Sequence, residues 1–202
     1  MSKQTTKSLS ALYEPTDAEK QSMKVWDKYR LALPPLPKMK VEQTGGSANI
    51  GPDHKDLGTG TALQMSAMAA PYAEYYSGTL SAIANIATTK RHVSADKMDY
   101  LMAMVAGIKP RDQLESMLAV QMAAIHDATL EMAARLKRVD TLPQHDSAER
   151  SLNKLARTFS SQLEALKRYR SKGNQRIVVE RVNVSEGGQA IVGNVDRGGG
   201  DV

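Results

Sequence analysis

Two apolar stripes in the second half of this 202-residue chain constrain its fold more than any other feature. In the segment KPRDQLESMLAVQMAAIHDATLEMAARLKRV, Leu114, Leu118, Met122, Ile125, Thr129, Met132 and Leu136 recur at spacings of three and four. That period marks one face of an α-helix. After a short break holding Pro143, Leu152, Leu155, Phe159, Leu163, Leu166 and Tyr169 repeat at spacings of three, four, four, three and three. Two such stripes joined by a short loop predict an antiparallel αα-hairpin. Pro110 opens the first helix, with Asp112 and Glu115 where the N-terminal dipole favours acids, and Asp127, Glu131, Arg135 and Lys137 fall on its polar face. Asp146 or Ser147 is placed to cap the second helix, and Gly173 to end it.

The rest of the chain fits a mainly α protein, with the hairpin at its centre, N-terminal helices before it and a short C-terminal β segment after it. Aromatic residues are only 4% of the chain, fewer than a β-sandwich or barrel of this size carries. Residues 1–33 read as a polar arm and one helix, opened by Pro15 and Thr16 and edged by Met23, Trp26 and Tyr29. Residues 34–60 hold four prolines and no sustained periodicity, and read as a linker or extended arm. The helical core is expected over residues 61–173. Pro71 should divide its first helical stretch. Ser94 should cap a helix buried through Met98, Leu101, Met102 and Val105 and ended by Gly107. Eight of the eleven methionines lie between Met65 and Met132, where they read as core packing. Residues 174–195, with the β-branched run IVVERVNV and its partner QAIVGNV, form the β segment, and residues 196–202 a disordered tail. An isolated two-stranded hairpin is marginal in water, so this segment is expected to dock on the helices or pair between chains.

The absence of cysteine excludes disulfides, thiolate metal sites and cysteine nucleophiles. Leu9 to Tyr13 is too short and interrupted for a signal-peptide core, and the run Leu101 to Ala106 is far below the ~20 residues of a spanning helix. A cytoplasmic protein without membrane contact is expected. The GTG at 58–60 reads as a flexible turn, because no strand precedes it and no lysine follows at phosphate-binding spacing. GxSxG, HExxH, DxDxDG and Walker patterns are absent from the sequence. Of His54, His92, His126 and His145, His126 lies beside the apolar stripe and reads as an interface histidine rather than a ligand. The expectation is a non-enzyme with no metal site and no cofactor.

Charge is distributed unevenly. The net charge is +5, and Ser147 to Arg176 alone holds eight basic residues against two acids, so the remainder of the chain is close to neutral. Arg157, Lys167, Arg168, Arg170 and Lys172 are therefore the candidate phosphate contacts, in competition with a solvated face that only complements a helix C-terminus. The candidate self-association residues are Leu118, Met122, Ile125, Phe159 and Leu163 on the hairpin, with Ile177, Val179, Ile191 and Val192 in the β segment.

The strings GIKPRDQLESMLAVQMAAIH, DSAERSLNKLARTF and GGQAIVGNV resemble blocks carried in this order by a set of bacterial proteins for which no activity is established. That resemblance implies kinship and no mechanism. The order of parts, helical start, central αα-hairpin and short β end, is similar to that of phage small terminase subunits, which recognise DNA and hand it to a packaging motor. This architectural analogy implies a homo-oligomeric adaptor that binds duplex DNA and meets a packaging motor or another protein. The competing reading is a structural scaffold or assembly protein with no nucleic-acid role.

Overall fold

The computed structural model describes residues 13–45, 47–90 and 92–171. These are mainly helical: six helices and two small two-stranded antiparallel sheets. The C-terminal β segment, including Ile177, Val179, Ile191 and Val192, lies outside the described residues, as does Lys172. No helix among the described residues is long and apolar enough to cross a membrane.

Helix α1 (Asp17–Leu31) starts where the sequence places it. Thr16 and Glu19 form a reciprocal capping box: the Glu19 N–H donates to Thr16 Oγ1 at 3.3 Å and the Thr16 N–H donates to Glu19 Oε2 at 2.7 Å. None of its residues is buried, and Met23, Trp26 and Tyr29 are all more than half exposed. Its last turn is tied to the body by Lys109 Nζ, which donates to the Ala32 carbonyl at 3.0 Å.

The expected linker is a structured arm. Met39–Thr44 (β1) pairs with Ser47–Pro52 (β2) from Met39 opposite Pro52 to Thr44 opposite Ser47. Gly45 takes the left-handed conformation in the two-residue connection, at φ 58°, which glycine adopts without Cβ strain. Periodicity hides this hairpin because few of its side chains turn inward: Met39 is buried, and Val41 and Ile50 are half-buried against the core. Polar anchors hold it as well. The Met39 N–H donates to Asp99 Oδ1 at 2.6 Å, and the fully buried Gln64 donates to the Pro37 carbonyl at 3.0 Å and accepts from the Tyr76 hydroxyl.

Pro71 does separate two helices, α2 (Leu57–Ala67) and α3 (Ala73–Ile86). The GTG at 58–60 is not a turn but the first turn of α2, capped by Asp56, whose side chain accepts from the Thr59 N–H at 2.7 Å. Here glycine is selected by proximity. A Cβ on Gly60 would lie 2.7 Å from His54 Cβ and 2.9 Å from Pro52 Cγ. The two-residue strands β3 (Thr88–Thr89) and β4 (His92–Val93) lead into α4 (Ala95–Ile108), capped by Ser94. Met98, Leu101, Met102 and Val105 on α4 are essentially fully buried, together with Met68 of the α2 end and Ile83 of α3. Gly107 does not end α4. Lys109 does, in a left-handed conformation at φ 53°.

Helices α5 (Gln113–Leu136) and α6 (Leu142–Arg170) run back along each other, so that the end of α6 meets the start of α5. Pro143 lies in the first turn of α6, where its missing N–H costs nothing, so α6 starts ahead of Asp146 and Ser147 and after Thr141. The apolar stripe of α5 is not its most buried line. Leu118, Ile125, Thr129, Met132 and Leu136 are half-buried and Leu114 is mostly exposed, whereas Ser116, Ala119, Ala123 and Asp127 are buried. Small side chains on that line let α5 approach the body closely, and the Tyr75 hydroxyl donates to Ser116 Oγ at 3.0 Å. Asp127, expected on the polar face, is paired with Lys97 of α4.

We expect Gly60→Ala to destabilise the fold by about 1–3 kcal/mol, the usual cost of forcing an extra carbon into a packed site. Chemical denaturation should show a lower midpoint with unchanged helical circular dichroism. An unaltered midpoint would show that the Pro52–His54 segment yields freely.

Candidate nucleic-acid interface

The charged residues of α6 separate into a bound set and a free set. Arg170, expected as a phosphate contact, belongs to the bound set. Its Nε and Nη2 donate to Glu115 Oε2 at 3.3 and 3.0 Å, and Nη2 also donates to the carbonyls of Ile108 and Lys109 at 2.8 and 3.1 Å. Those are the last carbonyls of α4, which a cation satisfies and complements electrostatically. Arg111 completes the cluster: its backbone N–H donates to Glu115 Oε2 at 2.9 Å, its Nε to Oε1 at 2.8 Å, and its Nη2 lies 2.7 Å from Oε1. Asp112 caps α5 by accepting from the Glu115 N–H at 2.9 Å and also accepts from the Tyr169 hydroxyl at 3.0 Å. The end of α6 is thereby fastened to the start of α5 and the end of α4.

Glu115 is 1% exposed. Burial alone raises the pKa of a carboxyl, but the hydrogen bonds from Arg170 and Arg111 and the charge of Arg170 more than offset it, bringing Glu115 down to about 2. The sequence places Glu115 correctly in a helix's first turn. It gives no sign that the carboxylate is buried or that its second cation comes from a residue 55 positions later.

The free set lies on the opposite side of α6. At 3.6 residues per turn, Arg150, Lys154, Arg157 and Arg168 fall within about 60° of arc. All four are exposed, and none is in an ion pair with a described residue. The opposite face carries Ala148, Leu152, Leu155, Phe159 and Leu166, which are buried or half-buried. Lys167 is exposed on the flank, beside Glu164. Of the expected contacts, Arg157, Lys167 and Arg168 are thus solvent-facing, Arg170 is committed to Glu115, and Arg150 and Lys154 join the exposed line.

The expected self-association residues divide in a similar way. Met122 is 3% exposed inside the chain's own fold, because α6 and the body cover α5 from two sides. Phe159 meets His126 across the α5–α6 contact, with ring centroids 5.8 Å apart, and both are half-buried. Leu118 and Ile125 are half-buried, and only Leu163 is largely exposed, at 52%. More apolar surface lies on α1, where Met23, Trp26 and Tyr29 are open.

A cleft of about 640 Å³ runs between the β3–β4 turn, α4 and α5. Of the charged residues that line it, Lys97 is paired with Asp127, and the Lys97 ammonium lies 5.5 Å from the Tyr100 ring centroid. Among the described residues no three His, Asp or Glu side chains converge in a metal-binding geometry. No protein-family model matches this chain, and neither curated proteins nor solved structures give a match.

The Glu115 cluster sets a pH dependence. Its folded pKa of about 2 lies below the ordinary 4.5, so its contribution to stability is complete above about pH 4.5 and disappears as pH falls towards 2. The expected contribution is on the order of 3 kcal/mol. Glu115→Gln should cost a comparable amount at pH 7 and flatten the acid limb of a stability–pH curve measured by urea unfolding. If the variant retains the parent's acid limb, other carboxylates carry it.

Proposed function

We propose that the protein is a non-enzymatic, self-associating helical adaptor for nucleic acid. The observation that carries this reading is the division of α6 into a face packed on its own chain and an opposite face bearing Arg150, Lys154, Arg157 and Arg168 without acidic partners among the described residues. A helix whose only electrostatic task were to satisfy its C-terminus would concentrate cations in its last turns. The exposed line instead extends to Arg150, more than four turns earlier, at 3.6 residues per turn. Self-association is supported by the uncovered apolar edge of α1 and by the high β-propensity of IVVERVNV and QAIVGNV. The order of parts keeps a packaging motor among the partners, as in small terminase subunits, by analogy of architecture.

Two measurements test this reading. Light scattering at micromolar concentration should give at least twice the 22.0 kDa chain mass. Removal of residues 173–202 should reduce that mass while preserving helical circular dichroism. The full chain should bind a mixed-sequence duplex with an affinity that falls steeply with salt, as counterion release requires. A monomer with no salt-dependent DNA affinity would replace this reading with that of a solvated, non-nucleic-acid protein.

A further inference from the structure

We propose that the outward face of α6 is a phosphate rail that takes the backbone of double-stranded DNA in preference to single strands. This proposal rests on the adaptor reading and specifies which residues and which form of nucleic acid it involves. Arg150, Lys154 and Arg157 lie on consecutive turns and span about 10 Å of helix axis, and Arg168 extends the line to about 27 Å, at 1.5 Å per residue. A duplex presents about one phosphate charge per 1.7 Å of its axis, so a straight cationic line of this length meets charge throughout. The cations sit on one rigid element whose opposite face is held by α5, with Arg150 Nε and Arg157 Nε donating to the Asp146 and Asn153 carbonyls one turn earlier at 3.2 and 3.3 Å, and a line fixed in this way suits a stiff polyanion better than a flexible one.

The face also lacks what single-strand binding requires. Unstacked bases are held on aromatic side chains, which provide much of the affinity for single strands. The two aromatic residues of α6 are committed elsewhere, Phe159 to His126 and Tyr169 to Asp112. Between the cations lie Ser161 and Ala165, which contribute neither stacking nor base-edge reading. Contacts should therefore be to phosphate and independent of sequence. Glu164 flanks the line between Arg157 and Arg168, is exposed, and is in no ion pair with a described residue. On a phosphate rail it is a repulsive charge.

The experiment uses the full chain and fluorescence anisotropy with a labelled 30-mer duplex of mixed sequence and the corresponding single strand, each over a potassium chloride series. The triple variant Arg150→Gln, Lys154→Gln and Arg157→Gln should bind the duplex at least about tenfold more weakly at low salt, with a log–log salt slope shallower by about three units. Glu164→Gln should bind about threefold more tightly, a gain that no loss of folding could imitate. The parent should prefer duplex over single strand by about tenfold. If the parent binds duplex while the triple and Glu164 variants match it, the rail is wrong and the adaptor reading survives on another surface. If single strand binds as tightly as duplex, the preference is wrong. If the parent binds neither, both proposals fail together.

Discussion

The architecture depends on one buried carboxylate. Glu115 sits in the first turn of α5, and Arg111 and Arg170 direct five donor groups at its two oxygens. Removing a carboxylate from water is expensive, and an unpaired one would titrate or unfold its surroundings. Here the cost is met by charge-assisted hydrogen bonds that also define geometry, because a guanidinium is planar and its donors point in fixed directions. Arg170 comes from the far end of α6 and contacts the last carbonyls of α4 at the same time. A single side chain thus brings three helix ends together.

A second polar device works the same way on the other side of the core. Gln64 is fully buried, yet its amide is satisfied by the Pro37 carbonyl and the Tyr76 hydroxyl. Together with the Met39 N–H on Asp99, it fixes the proline-rich arm against α2, α3 and α4. Apolar packing there is thin, since Met39 and Pro52 are the arm's only buried side chains among the described residues. Directional bonds supply the register that burial alone would leave loose. The same economy appears on α5, where Ser116, Ala119 and Ala123 admit close approach and Asp127 ends the buried line in an ion pair with Lys97.

These anchors bear on the proposed interface because they leave one face of α6 unused. Its inner face is occupied by α5, and its terminal Arg170 and Tyr169 are consumed by Glu115 and Asp112. What remains is a straight line of cations displayed on a supported helix. Counting charge along the sequence finds the excess on this helix but cannot separate the half-buried Arg170, paired with Glu115, from the exposed Arg150, Lys154, Arg157 and Arg168.

Local pattern located most of the helices, because the stripes around Met98, Leu118 and Phe159, the breaks at Pro34 and Pro71, and the starts at Thr16 and Ser94 all act within a few residues, but it set two starts wrongly: α5 begins at Gln113 with Asp112 as its cap rather than at Pro110, and α2 takes in the GTG read as a turn. It also located the basic helix. The β1–β2 arm was not legible, because a strand with one or two inward side chains shows no alternation, and neither was the role of Gly60, which depends on Pro52 and His54 folding over it. The tertiary structure alone decided that Asp127 is buried, that Met122 and Phe159 are used within the chain, and that Arg170 is an anchor. Each of these is settled by a partner 30 or more positions away in sequence, or by the covering of one helix by two others. A periodicity shows that a helix has a greasy face, but not how many neighbours will pack around it. A charge count gives the number of cations, and only the fold determines which of them already have an anion.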